Sequence, residues 1–327
     1  MYRKPQPVPT ITTRWVDESM TYQLSHQQLE QAPFFEQYDE QYFNEHLLPD
    51  GPIIFRNKKK QSVPGAHLKP MIEELVKELH ATTETQESFT NFIVIKQRDY
   101  NPETKAGLII VKFKEYPFII KLFMETPESF VQPFSKGFEP IFFFMMGGGV
   151  NRYLAGFSRV KNRAMIQEHI DAHPEWKNIL SSPRKWFWRP EQTRFFELCS
   201  THMGCSDRCI QLPSVYAIVC DAIDADHTLS ITNGDNRRLG IETSHFFGAR
   251  VDPNIQNFMV EKETKKLVLV DTEHFPTMVG LREPLEYDNY IAWYCELMRK
   301  CLKDSLFRSK KERHAYQHAQ TRRVLPC

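Results

Sequence analysis

The chain has 327 residues, 41% of them hydrophobic and 25% charged, with a formal net charge of +1. This is the composition of a folded globular chain, long enough for one two-lobed core or two ordinary ones. A charge so near zero excludes a global field that would recruit nucleic acid, so no nucleic-acid partner is expected.

Residues 1–30 are rich in Pro, Thr and Gln and read as an extended arm or poorly ordered tail. The opening MYRKPQPVPTITTRW lacks the apolar core of a signal peptide. Residues 26–48 mix aromatics with Glu and Gln and predict helix. In HLKPMIEELVKELHA (67–81), Met71, Leu75, Val76 and Leu79 fall at helical spacing, and Pro70 suits a first turn. NFIVIKQRD (91–99), GLIIVKF (107–113) and PFIIKLFM (117–124) are β-rich runs separated by turn sequences, which predicts a three-stranded antiparallel meander.

The apolar run PIFFFMMGGGV (140–150) is about half the roughly 20 residues of a spanning helix, so no membrane span is expected. Its glycines 147–149 mark a turn, since they lack the GK[ST] of a phosphate loop. Residues 151–173 predict one or two helices, and 185–190 and 214–223 predict strands. Residues 224–245 carry no clear period. FMV (258–260) and KLVLV (266–270) form the arms of a hairpin, and an amphipathic helix over roughly 286–316 closes the chain with a basic end.

Seven cysteines without a signal peptide predict free thiols in a reducing cytoplasm, or export by a route that cleaves no signal. Cys199, His202, Cys205 and Cys209 are all zinc-ligand types, but structural zinc takes two separated pairs and this stretch is cramped. Buried or incidental thiols are the simpler reading. His169, His245 and His274 show no catalytic partner in sequence.

One loop and hairpin carry more. VDPNIQN (251–257) and LVLVDTE (267–273) place Asp252, Asn257 and Asp271 where the hairpin strands begin and end. Asp-Pro-Asn is ordinary turn chemistry, in which Asx side chains satisfy nearby backbone groups. Likewise Lys121, among Ile119, Ile120, Leu122 and Phe123, is by itself an outward residue of an alternating strand.

Taken together, the order of elements and these residues resemble the protein-kinase-like superfamily. VDPNIQN resembles the D-x-x-x-x-N of the kinase catalytic loop, and LVLVDTE takes the place of the D-F-G segment one hairpin later. FIIK (118–121) resembles V-A-I-K and lies on the third meander strand. An acid soon after the metal-binding Asp, as in DTE, is similar to aminoglycoside-kinase-like relatives.

The resemblance implies an α+β, two-lobed kinase-like fold with a β-rich N-lobe, a helical C-lobe and an N-terminal extension. Its expected divisions are 1–85 for the extension, 86–213 for the N-lobe with a helical insertion, and 214–327 for the C-lobe. It implies an ATP- and magnesium-dependent phosphotransferase acting on a protein or small-molecule hydroxyl. Asp252 would orient or deprotonate that hydroxyl. Lys121 would meet the nucleotide phosphates, supported by Glu168 of MIQEHI rather than by the nearer Glu139. Asn257 and Asp271 would hold Mg2+, a hard cation that prefers oxygen ligands.

The departures are Arg250-Val251 for His-Arg, Thr272-Glu273 for Phe-Gly, and a single glycine, Gly107, in the first hairpin. No A-P-E segment is present. They imply a divergent kinase, or a pseudokinase-like interaction module that keeps the fold alone. A fold unrelated to kinases would leave Lys121 and Asp271 far apart, whereas the resemblance places them within bridging reach.

Overall fold

The computed structural model describes residues 7–25, 37–131, 149–202, 208–275, 287–293, 295 and 320–324. The N-terminal stretch expected to be an arm forms two strands instead, β1 (Thr10–Trp15) and β2 (Thr21–Ser25). Of the helix expected over 26–48, the described residues 37–48 are helical only in α1 (Glu40–Glu45), capped by the Asp39 side chain on the Tyr42 N–H, and Leu47 pairs with Phe187 instead. A hairpin of β3 (Pro52–Phe55) and β4 (Lys58–Pro64) leads into α2 (Gly65–Ala81), the expected early helix.

The expected meander follows as β5 (Phe92–Asn101), β6 (Ala106–Phe113) and β7 (Phe118–Met124). After the single turn α3 (Pro127–Phe130) come one long helix, α4 (Gly149–Ala172), and the short α5 (Pro174–Lys177). Gly147 and Gly148 lie outside the described residues. Then come β8 (Leu180–Ser181), β9 (Lys185–Trp188), β10 (Phe195–Thr201), β11 (Cys209–Pro213) and β12 (Val215–Asp221). The unassigned stretch 224–245 holds β13 (Ala225–Thr228) and most of α6 (Gly234–Phe246). The predicted hairpin is β14 (Phe258–Glu261) and β15 (Leu267–Leu269), and β16 (Gln320–Val324) ends the described chain.

The result is a mixed α+β fold with several antiparallel sheets. The central sheet has the order β5-β6-β7-β12-β9, and a second has the order β11-β10-β1-β2-β16. Pairing of β1 with β10 ties the stretch expected as a separate extension to residues 195–201. Among the described residues of 214–327, α6 is the one long helix, and of the expected terminal helix only its first residues are described.

Alternation along β7 gives each sheet face its own core. Ile120, Leu122 and Met124 pack with Leu68, Ile72 and Leu75 of α2. Phe123 points the other way, into a cluster with Tyr153 and Phe157 of α4, Tyr216 of β12, and Ile11 and Leu24 of the second sheet. Phe123 stacks on Tyr216 with ring centroids 4.7 Å apart, and Phe157 stacks on Tyr216 at 4.1 Å. A side chain at Gly156 would collide with the Tyr216 hydroxyl, so glycine there sets how closely α4 approaches the sheet.

The cysteine expectation is corrected. Cys199 and Cys209, directly opposite on β10 and β11, form a disulfide, so neither is a thiol nor a zinc ligand. Cys205 lies outside the described residues. Antiparallel pairing brings two facing β-carbons within bridging distance, a constraint invisible in the spacing alone. Among the described residues no helix is long and apolar enough to cross a membrane.

Candidate functional site

Lys121 lies on the same face of β7 as Phe123, and therefore faces α4. Its Nζ donates to Asp271 Oδ2 at 2.9 Å, bridging the third meander strand to the residue after the hairpin. The opposite carboxylate oxygen, Oδ1, accepts from Arg159 Nε of α4 at 3.0 Å. Arg159 Nη2 also pairs with Glu273.

Further bonds fasten this segment to α4 and β9. Lys185 Nζ donates to the Val270 carbonyl at 3.0 Å and to Thr272 Oγ1 at 2.6 Å, on either side of Asp271. Thr272 Oγ1 in turn donates to the Arg159 carbonyl at 2.7 Å, and Asn162 Nδ2 donates to the Thr272 carbonyl at 2.9 Å. The His274 N–H donates to Ser158 Oγ at 3.0 Å. One helical turn of α4 thus grips residues 271–274.

Burial would push the Asp271 carboxyl up, but Arg159, then Lys121 and Lys185, hold it well below the usual carboxylate range. Burial pushes Glu273 up, with Arg159 opposing. Burial, reinforced by the charge of Lys121, lowers the Lys185 ammonium to about 7. Burial would also weaken the Arg159 charge, yet Asp271 and Glu273 hold it above its ordinary value.

Asp252 occupies the other end of the hairpin and is held by turn chemistry. The Asn254 N–H donates to its Oδ1 at 2.9 Å, and Asn257 Nδ2 donates to its Oδ2 at 3.1 Å. The Val270 N–H donates to the Asn257 carbonyl at 2.9 Å, which joins the two ends. Burial pushes the Asp252 carboxyl up to about 7, with the Asn254 hydrogen bond opposing and Glu273 adding to the rise.

Four of the five expected residues, Lys121, Asp252, Asn257 and Asp271, thus meet around one hairpin. The fifth does not. Glu168 follows Arg159 by about two and a half turns of α4 and so projects from the opposite side. It lines a groove of about 690 Å³ with His169, His245, Phe246 and Arg250. The α4 residue that reaches Lys121's partner is a cation, Arg159, and the acid on Lys121 is Asp271. Glu139 lies outside the described residues.

Sequence reasoning missed Arg159, Lys185 and the role of Glu273. A signal existed: Arg159 is the one charge within YLAGFSRV, where Tyr153, Leu154, Ala155, Phe157 and Val160 are all buried. A charge inside a helix apolar on every side requires partners.

The arrangement does not fit the expected magnesium ion. Asn257 and Asp271 are oxygen donors of the right kind, but both Asp271 oxygens already accept from cations. Among the described residues no group of three or more His, Cys, Asp or Glu side chains converges. A phosphate, by contrast, would find two cations aimed at one point.

No protein-family model matches the chain, and no curated protein matches it.

Proposed function

We propose that the chain is a divergent kinase-like phosphotransferase that binds ATP and transfers its γ-phosphate to a protein or small-molecule hydroxyl. The observation that carries this reading is the 2.9 Å ion pair between Lys121, on the third meander strand, and Asp271, just after the hairpin.

The acceptor oxygen attacks the γ-phosphorus, and the bond to the bridging oxygen breaks. ADP leaves with that electron pair, and the hydroxyl proton passes to Asp252. A carboxyl lifted to about 7 is matched to take a proton at neutral pH. Lys121 and Arg159 meet the phosphate charge, and Asp271 holds both cations in place while the site is empty.

The test is ADP formation from ATP in the presence of candidate acceptors, for the wild type and for Asp252→Asn. Turnover lost in the variant with unchanged nucleotide affinity supports the assignment; equal turnover contradicts it.

One observation favours a pseudokinase-like interaction module as the second reading. Asp271, expected to hold the metal, has both oxygens engaged in structural ion pairs. Of the two expected settings, the Cys199–Cys209 disulfide favours export over a reducing cytoplasm.

A further inference from the structure

We infer that Asp271 is a stand-in for phosphate, not a metal ligand: a nucleotide phosphate displaces its carboxylate from between Lys121 and Arg159 and binds without a divalent cation. This rests on the nucleotide reading above and goes further, because it names the ion-binding mode and reverses the role the resemblance implies for Asp271.

The geometry points one way. Lys121 Nζ and Arg159 Nε lie 2.9 and 3.0 Å from the two oxygens of one carboxylate, so both converge on the volume of a single oxyanion. Asp271 is the most exposed of the three, with 20% of its side chain accessible against 12% for Lys121 and 6% for Arg159. An anion arriving from solvent therefore meets Asp271 first and finds the two cations behind it.

Arg159 has capacity to spare. Its Nη1 is buried and has no hydrogen-bond partner, and its charge is fixed at any working pH. A guanidinium offers planar, paired donors to phosphate oxygens. A divalent cation on Asp271 would instead sit against Lys121 and Arg159, with Lys185 close behind. The acids that could offset that charge are engaged elsewhere: Glu273 on Arg159, and Asp252 on Asn257 and the Asn254 N–H. The helix that would present an acid to this lysine in the kinase pattern presents a cation, which reverses the sign of the ion the site recruits.

The test is calorimetric titration of ATP into the full chain, in EDTA and in excess Mg2+, for the wild type, Asp271→Asn and Arg159→Gln. Circular dichroism at the titration temperature checks that each is folded. The inference expects wild-type binding of similar affinity in both buffers. Asp271→Asn should bind more tightly, on the order of tenfold, because a competing charge is gone. Arg159→Gln should bind more weakly in both.

Binding that requires Mg2+ and disappears in Asp271→Asn would overturn the inference while leaving the kinase reading standing. Absence of ATP binding in either buffer would overturn both. The wild-type comparison of buffers decides the question even if a variant does not fold.

Discussion

Two aspartates close one hairpin, and they live under opposite rules. Asp271 is gripped by Lys121 and Arg159 and stays ionised well below the usual range. Asp252 has two neutral hydrogen-bond donors, and burial pushes it up to about 7. The contrast shows how one short segment can hold a permanent anion and a carboxyl that titrates near neutrality. Position along the strand does not decide the role; the sign of the neighbours does.

The largest effect is expected from removing the permanent anion. Asp271→Ala leaves two buried cations facing each other, and should cost about 3–5 kcal/mol in urea unfolding. A loss under ~1 kcal/mol would mean that the ion pairs are not formed in solution. Asp271→Ala is thus a poor probe of chemistry, because it also disturbs the fold.

Next in size is the disulfide, which lies outside the site and serves as a reference for it. Cys199 and Cys209 are separated by 10 positions. Closing a loop that short is worth about 2.7 kcal/mol in the chain-entropy model. Cys199→Ser should lower stability by that amount, with nucleotide binding unchanged. Adding reductant to the wild type should give the same loss.

Asp252 responds to pH where Asp271 does not. Its folded carboxyl sits above its unfolded value of 3.8, so the folded state keeps a proton that the unfolded chain releases. Its contribution to stability therefore falls as pH rises from about 4 to about 7. Asp252→Asn should flatten that fall. Phosphate transfer should rise with pH through the same upper limit, as the base ionises. A transfer rate flat from pH 5 to 8 would exclude Asp252 as the proton acceptor.

The smallest effect is expected where an ion pair lies in solvent. Arg14 and Glu197 meet at 2.7 Å but are 43% and 23% exposed. Arg14→Ala should cost less than ~1 kcal/mol and weaken further in salt. A cost equal to that of Asp271→Ala would show that burial is not what distinguishes the two sites.

Sequence revealed the parts of this molecule that are local. Runs of β-branched and aromatic residues between turn sequences identified β5, β6 and β7, and so placed Lys121 on a strand. Apolar spacing identified α2, and the charged turn between two apolar runs identified the hairpin that sets Asp252, Asn257 and Asp271 at its ends. Sequence concealed what depends on distant pairing. TITTRW and TYQLS are short, polar and threonine-rich, and they become strands because β10, far along the chain, lies beside β1.

The helix error has a different cause. Glu168 is the acid that charge complementarity with Lys121 would select, but the phase of α4 turns it to the far side. That phase is set by Tyr153, Phe157 and the close approach at Gly156, which bring Arg159 to the site. The aromatic packing on Tyr216, not the charge pattern, decides which residue of α4 meets the lysine.

On the proposed function, Lys121, brought to Asp271 across the sheet and hairpin, is the cation of a nucleotide site. The most direct test is a titration of ATP into the wild type and Lys121→Met, both checked for a native circular dichroism spectrum. Saturable binding by the wild type and a loss of at least about tenfold in the variant are expected. Equal affinity in the two proteins would place any nucleotide elsewhere and contradict the claim.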